Sequence, residues 1–137
     1  MNRNFWIFDT NTLLSALLNE DSPPGMALKK ARQNGTLLVS PQTAAEYFNV
    51  FSRTKFERYV SLELRLAFIE NIISNAFEVL PIEKVNACRD PKDNKFLELA
   101  VTAGASCIIS GDQDLLILDP FRNIPILTAD RFLSQFT

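Results

Sequence analysis

Acidic side chains follow short apolar runs at two points in this sequence and open a predicted helix at a third. Asp9 comes directly after the apolar run Phe5–Phe8, and Asp112 follows a second apolar run at residues 106–109. Asp93 begins a segment whose apolar side chains recur every three or four residues, which predicts an amphipathic helix. Because open α/β sheets place ligand crevices at the carboxyl ends of their strands, we expect these aspartates to converge there. A helix cap or a turn residue is the alternative role for Asp9.

The residue types at this predicted edge restrict the chemistry to carboxylates. The sequence contains no histidine, which excludes Ser-His and Cys-His nucleophiles and histidine metal sites. The acids have no basic partner in the pattern that defines them, so a cluster of carboxylates would need a shared proton or a cation. Oxygen ligands select hard cations such as Mg2+ and Mn2+. Two such ions, roughly 4 Å apart, can clamp the attacking and leaving oxygens of a phosphodiester during its hydrolysis.

Glu46 is a fourth acid that we expect at the site. Ser40 and Pro41 are typical of the first positions of a helix, with Ser40 as the cap. A capping box over residues 43–46 is the alternative role for Glu46, but a cap at Ser40 places Glu46 beyond the first turn. Its apolar neighbours indicate partial burial, and a partly buried carboxylate needs a partner. The sequence therefore favours a functional role for Glu46.

Composition sets further limits on the function. The length of 137 residues favours a single domain spanning residues 1–137. A net charge of −2 excludes a broadly basic nucleic-acid surface, so any nucleic acid would be held by local basic groups or by metal ions. The two cysteines do not indicate a disulfide framework. No signal peptide and no membrane-spanning run is evident, and we expect a cytoplasmic protein without membrane contact.

Strands and helices alternate along the chain, which predicts an α/β fold with three layers, α/β/α, around a central parallel sheet of four to five strands. Strand Phe5–Phe8 is expected at the centre because its run is continuously apolar, and Pro125 suits an edge strand. The expected strands are residues 5–8, 36–39, 77–80, 106–109 and 124–127. The first expected helix starts at Leu13, and the next lies at 26–33 after a loop at 19–25. Two more helices are expected at 42–52 and 61–76. A further helix begins at Asp93, another lies at 113–118, and the last starts at Thr128. Arg65 and the glutamates of the helix at 61–76 are typical of a solvated face.

Basic residues near the predicted site are candidates for contact with phosphate. The segment 51–59 mixes basic and aromatic side chains, a combination that can hold single-stranded nucleic acid by charge and stacking. A solvated helix end anchored by its aromatic residues is the interpretation that we favour for this segment. Asp90 precedes a proline and is expected to be a turn residue rather than a metal ligand. The basic candidates are Arg53, Lys55, Arg89, Lys92 and Lys95.

Five segments together make the sequence similar to the PIN domain family, the nuclease fold of many bacterial toxin–antitoxin toxins, in its VapC-like branch. They are FDTNTLLS at 8–15, Glu46 in its helix, RTKF at 53–56, RDPKDNKFL at 89–97 and SGDQDLL at 110–116. The resemblance implies a Mg2+- or Mn2+-dependent endoribonuclease, an RNA substrate and a cognate antitoxin protein. It assigns the catalytic and metal-binding quartet to Asp9, Glu46, Asp93 and Asp112, a further metal-binding acid to Asp114, and a supporting polar role to Asn11.

Other functions and assemblies remain open at this stage. A PIN fold could serve as a catalytically silent binding or regulatory module, although the intact acids argue against this. A receiver-like signalling domain also holds magnesium between strand-end acids, but it needs a paired acid near Asp9 and a lysine later than Lys95. The antitoxin partner is expected to insert a basic side chain into the acidic cleft and to cover the helices at 42–52 and 61–76. A homodimer is also kept open.

Overall fold

A computed structural model describes residues 3–136 and has a five-stranded sheet as its centre. All four strand pairings are parallel, and the strand order is β3-β2-β1-β4-β5. The strands are β1 (Phe5–Phe8), β2 (Thr36–Val39), β3 (Phe77–Glu78), β4 (Cys107–Ile109) and β5 (Ile126–Leu127). The central position of β1 and the edge position of β5 confirm the prediction. The strand order brings the carboxyl ends of β1 and β4 side by side.

Within residues 3–136, seven α-helices pack on the sheet and complete the predicted three-layer α/β/α architecture. In the packed pairs, α1 lies against α2, α2 against α7, and α3 against α4. The helices are α1 (Thr10–Leu18), α2 (Pro23–Gln33), α3 (Pro41–Phe51), α4 (Leu62–Ser74), α5 (Asn94–Ala103), α6 (Gln113–Leu116) and α7 (Ala129–Gln135). Single turns of 3-10 helix lie at Thr54–Phe56 and Pro91–Asp93. In residues 3–136, the helices are too short or too polar to cross a membrane.

The start of α2 differs from the prediction. The predicted loop at 19–25 is shorter, because α2 begins at Pro23 rather than at Met26. Ser22 caps the helix by accepting a hydrogen bond from the Gly25 amide at 3.3 Å, and proline is well suited to a first turn, where its missing N–H costs nothing. The Gly25 backbone also lies so close to the loop that a Cβ would stand 2.3 Å from the Glu20 carbonyl oxygen.

Some other elements are shorter than predicted. The edge strands β3 and β5 keep only two residues each. Ile124 leaves β5 because it forms an antiparallel bridge with Phe121 in the preceding turn. The helix α6 ends at Leu116 rather than at residue 118.

The N-terminal cap of α3 and the C-terminal end of α5 form as predicted. The Ser40 hydroxyl accepts the Thr43 amide at 3.1 Å, and the Thr43 hydroxyl accepts the Ser40 amide at 2.9 Å. The capping box of α3 is therefore Ser40–Thr43, so Glu46 is free of a capping role. Gly104 ends α5 in the left-handed conformation, with a φ of 67° that glycine adopts without strain.

The prediction that Arg65 belongs to a solvated face of α4 is wrong. Its side chain is 0% exposed, because the guanidinium fills a socket of backbone carbonyls. It donates to the carbonyl oxygens of Phe51 at 2.7 Å, Arg53 at 2.8 Å and Val60 at 3.0 Å. It also pairs with the Glu57 carboxylate at 2.5 Å. Arg65 therefore ties the C-terminal end of α3 and the following turn to α4.

Candidate active site

The carboxyl ends of β1 and β4 carry the first two acids of the site. Asp9 follows β1 directly, and its amide donates to the Ile109 carbonyl of β4 at 3.1 Å. The Ser110 hydroxyl donates to Oδ2 of Asp9 and accepts the Asp112 amide hydrogen at 3.0 Å. The two aspartates lie at adjacent strand ends, as expected, and one buried hydroxyl links them.

A group of three carboxylates lies beside this link. One oxygen from each of Asp93, Asp112 and Asp114 falls within 4.8 Å of the other two. Asp112 caps α6, since its Oδ1 accepts the Asp114 amide at 2.9 Å. Asp93 stands at the start of α5, where its carboxylate accepts no capping hydrogen bond. We call these three residues the acid cluster.

The cluster shifts the pKa of Asp93 strongly. Partial burial raises the pKa of Asp93 to about 7, and a side-chain hydrogen bond with Asp112 and the charges of Asp112, Asp90 and Glu46 add to the shift. Asp93 therefore gives up its proton less readily than an ordinary aspartate does.

Asp9 is buried and firmly oriented. Burial raises the pKa of Asp9, while hydrogen bonds from the Ser110 hydroxyl and from Thr12 oppose the rise. Its Oδ1 accepts the Thr12 amide at 2.9 Å, so Asp9 also caps α1, which was the alternative role for this residue. The negative charge of Asp112 adds to the rise in pKa, which shows that the two carboxylates interact.

Glu46 lies at the edge of the same group, and it has a basic partner. Its Oε1 accepts the Lys95 ammonium at 2.7 Å, and its Oε2 accepts the Thr10 hydroxyl. Arg89 similarly contacts Asp114 through two nitrogens, at 3.0 and 3.2 Å. The pattern that defines the acids indicates no basic partner, but in the structure α5 and the loop before it supply one cation each, to Glu46 and to Asp114.

The remaining basic candidates make other contacts. Arg53 donates to the Asn49 side chain at 3.3 Å, and the Lys55 ammonium stands 5.1 Å from the centre of the Phe56 ring. Lys92 is exposed, and its amide donates to Oδ1 of Asp90 at 3.1 Å, as expected for a turn at Asp90.

An open cleft of about 580 Å³ gives access to Asp9, Asp112 and Asp114, whereas Asp93 and Glu46 are not among its lining residues. Its lining includes Asp9, Asn11, Arg89, Asp112 and Asp114. Asn11 is exposed in this cleft, but the Asp9 carboxylate is held by Ser110 and Thr12. A cavity of similar size, about 610 Å³, opens at the amino-terminal ends of β1 and β2, and the residues that line it include no acid.

Three residues that sequence reasoning did not select also organise the site. Ser110 was expected only as a turn residue, and Thr10 not at all, although each follows a strand end beside an acid. The buried Tyr47 hydroxyl donates to the Phe8 carbonyl at 2.6 Å. Because Phe8 precedes Asp9 and Tyr47 follows Glu46, this bond holds two acid-bearing backbones together.

The acid cluster fits a hard divalent cation. Its donors are carboxylate oxygens only, they come from three side chains, and they lie close enough to share one ion. A cation bound here would neutralise the negative charges that help to raise the pKa of Asp93. Asp93, Asp112 and Asp114 are therefore the residues that could hold Mg2+ or Mn2+, with Asp9 and Glu46 adjoining.

Comparison with known proteins places the chain in a family. The profile of the PIN domain matches residues 6–114. Over 114 residues, covering 82% of this chain and 73% of the relative, the sequence is 32% identical to the Methanocaldococcus jannaschii protein described as Uncharacterized protein MJ1680.

Two solved structures share the fold. PAE2754 from Pyrobaculum aerophilum aligns with a TM-score of 0.62 at 15% identity, over 96% of this chain and 91% of that one. VapBC2 from Rickettsia felis, solved bound to a DNA fragment from the promoter, aligns with a TM-score of 0.62 at 13% identity, over 89% of this chain and 96% of that one. By the extent of the profile match, this protein belongs to the PIN domain family.

Proposed function

We propose that this protein is a Mg2+- or Mn2+-dependent endoribonuclease, with Asp9, Glu46, Asp93 and Asp112 as its catalytic quartet and Asp114 as a further metal ligand. The observation that carries the proposal is the acid cluster, where three carboxylates lie within 4.8 Å of one another beside the buried Asp9. PIN domains are generally nucleases, which supports the same reaction class. The family assignment leaves no support for the receiver-like alternative.

The side chains divide the work of phosphodiester hydrolysis among them. Divalent cations, when bound, would supply a water of lowered pKa and neutralise charge on the scissile phosphate. Asp93, whose pKa is raised to about 7, must be deprotonated to bind such an ion. Ser110 and Thr12 keep Asp9 in one orientation, and Asn11 stands in the open cleft where it can contact water or substrate. Arg53, Lys55, Arg89, Lys92 and Lys95 are the proposed contacts to RNA phosphates.

A toxin–antitoxin role is the second part of the proposal. It is supported by the fold shared with VapBC2, whose structure includes promoter DNA, and by the negative cleft, which suits a basic side chain from an antitoxin protein. Exposed apolar side chains on and before α4, Tyr59, Leu62 and Leu64, offer a surface for the rest of such a partner. Growth arrest on expressing the protein alone, relieved by a protein that co-purifies with it from its host, is the expected result. If expression causes no growth arrest and no partner co-purifies with the protein, this role is contradicted.

One observation favours a catalytically silent module as the second candidate. The Lys95–Glu46 and Arg89–Asp114 ion pairs neutralise two of the acids without any metal. A silent module would keep both pairs in the presence of Mn2+, whereas the nuclease proposal requires that the cation take the place of Arg89 at Asp114.

A cleavage assay with matched nucleic acids decides between the candidates. Purified protein is incubated with single-stranded RNA, structured RNA with loops and single-stranded DNA, with Mn2+ or with excess chelator. We expect cleavage of single-stranded or loop RNA that stops in chelator and resumes when Mn2+ is restored. Cleavage that continues in chelator would exclude the metal-dependent site, and no cleavage of any RNA would favour the silent module. Preferential cleavage of DNA would contradict the assignment as a ribonuclease.

A further inference from the structure

Arg89 forms a forked ion pair with one member of the acid cluster. Its Nε donates to Oδ1 of Asp114 at 3.0 Å and its Nη2 donates to Oδ2 at 3.2 Å. The Arg89 side chain is 85% exposed, while that of Asp114 is 22% exposed. The fork thus occupies both oxygens of a carboxylate that a cation would need.

The backbone beneath Arg89 is fixed, so its exposed side chain has a defined reach. The buried Asn94 accepts the amides of Ala87 at 3.1 Å and Cys88 at 2.9 Å with one oxygen. Pro91 begins the next helical turn. The guanidinium therefore starts from a constant position in the wall of the cleft, beside Asp9 and Asp112, and it can move without moving the acids.

Two ligands compete for this guanidinium when substrate is present. Carboxylate and phosphate are both acceptors that match the planar fork of arginine. An exposed ion pair contributes little stability, so breaking it is easy. A divalent cation bound by Asp114 would take up the carboxylate oxygens that now accept hydrogen bonds from Arg89. The guanidinium would then be free to contact an RNA phosphate.

We propose that Arg89 is a phosphate-binding residue held in reserve on Asp114 and transferred to the RNA when a divalent cation enters the acid cluster. This inference rests on the proposed nuclease function and adds an order of events to it. Without metal, Arg89 occupies Asp114 and so competes with metal binding. Arg89 contacts the RNA only after the metal has bound. An arginine that simply strengthens the loop would do neither, and a permanently free cation would bind RNA with or without metal.

The test measures metal and RNA binding separately, in native protein, Arg89→Ala, Arg89→Lys and the control Lys92→Ala. Lys92 lies three residues away, is exposed, and forms no salt bridge within residues 3–136, so in the Mn2+ experiment its removal controls for the loss of one positive charge. Because Lys92 is itself a proposed RNA contact, the RNA experiment compares Arg89→Ala with the native protein instead. Mn2+ affinity is measured by calorimetry without RNA. RNA affinity is measured by fluorescence anisotropy in chelator and in Ca2+, another oxygen-seeking cation, with gels to confirm that the RNA stays intact.

We expect Arg89→Ala to bind Mn2+ roughly two- to fivefold more tightly than Lys92→Ala does, because an exposed competitor has been removed. In Ca2+ it should bind RNA roughly fivefold more weakly or worse, while in chelator its RNA affinity should equal that of the native protein. Arg89→Lys should lie between native and alanine in both experiments, because it keeps the charge and loses the fork.

Three outcomes would overturn the inference. They are a Mn2+ affinity of Arg89→Ala no higher than that of Lys92→Ala, an RNA affinity that falls equally in chelator and in Ca2+, and an RNA affinity that Arg89→Ala does not change. If the native protein cleaves RNA and the Arg89 variants show any of these, this inference alone fails. A native protein that binds Mn2+ but neither binds nor cleaves RNA would overturn the proposed function as well.

Discussion

The Ser110 hydroxyl bridges the two strand-end acids, donating to Asp9 while it accepts the Asp112 amide. Ser110 is 1% exposed and Asp9 is 5% exposed, so no water can replace this hydroxyl without rearrangement. The bond favours the charged form of Asp9 and opposes the effect of burial on its pKa. This hydroxyl, together with Thr12, therefore orients the first acid and favours its charged form.

We predict that Ser110→Ala raises the pKa of Asp9 further, because the opposing hydrogen bond is lost. Metal binding needs the deprotonated acid, so Mn2+ affinity should fall roughly tenfold, as for other residues that orient ligands, and most at acidic pH. The acidic limb of the cleavage profile should move to higher pH. The control is Ser106→Ala, whose hydroxyl accepts the Phe5 amide at 3.0 Å from just before the amino-terminal end of β4. If the profile of Ser110→Ala does not move, the hydroxyl has no role in tuning Asp9.

Asp93 should make the metal-free protein less stable as pH rises. Its pKa in the folded protein is about 7, against an ordinary value of 3.8, so between these values the folded state binds more protons than the unfolded state. The free energy of unfolding must then decrease with rising pH across that window and level off above it. Burial raises the pKa of Asp9 as well, and this contributes a slope of the same sign.

Urea denaturation in chelator at several values between pH 4 and pH 8 measures this slope. Asp93→Asn should flatten it, whereas Asp21→Asn, a change in an exposed loop acid, should not. With Mn2+ present, the native slope should weaken or reverse, because the ion stabilises the deprotonated site. A metal-free slope that Asp93→Asn leaves unchanged would show that the pKa of Asp93 is not raised in the folded protein.

Tyr47→Phe should lower stability by about 1–2 kcal/mol, the usual effect of losing a buried hydrogen bond. The Tyr47 hydroxyl donates to the Phe8 carbonyl at 2.6 Å, and the substitution keeps the ring. Cleavage should also slow, because the Asp9 and Glu46 backbones lose a direct tie. Tyr59→Phe is the matched control, since Tyr59 is 65% exposed. Equal melting temperatures for the two variants would mean that the tie is unimportant.

Sequence reasoning predicted the sheet and the position of Asp9 and Asp112 because both depend on local patterns. A continuous apolar run indicates a buried strand, and parallel strands bring their carboxyl ends to one edge. The Lys95–Glu46 and Arg89–Asp114 pairs span 49 and 25 residues. Whether such side chains meet depends on packing angles and rotamers, which no local pattern encodes.

Arg65 shows the same limit within a helix. Helical periodicity counts an arginine as part of the polar face, and nothing in the segment around it indicates that carbonyls at the end of α3 will surround the guanidinium. Arg65→Met should destabilise the protein by at least about 2 kcal/mol, because buried carbonyls lose their donor. Glu57→Gln should cost less than about 1 kcal/mol, since Glu57 is 58% exposed. If the two substitutions cost the same, the ion pair rather than the carbonyl socket explains the burial.

The central claim is that the acid cluster cleaves RNA through bound divalent cations, and a Mn2+ titration of the single-turnover cleavage rate tests it most directly. One RNA substrate is used with native protein, Asp93→Asn and the surface control Asp21→Asn. The account predicts a native rate that rises with Mn2+ to a plateau. It predicts a reduction of at least roughly 100-fold in the rate of Asp93→Asn and a native-like rate for Asp21→Asn. A rate that is independent of Mn2+, or that is the same in native protein and Asp93→Asn, would contradict it.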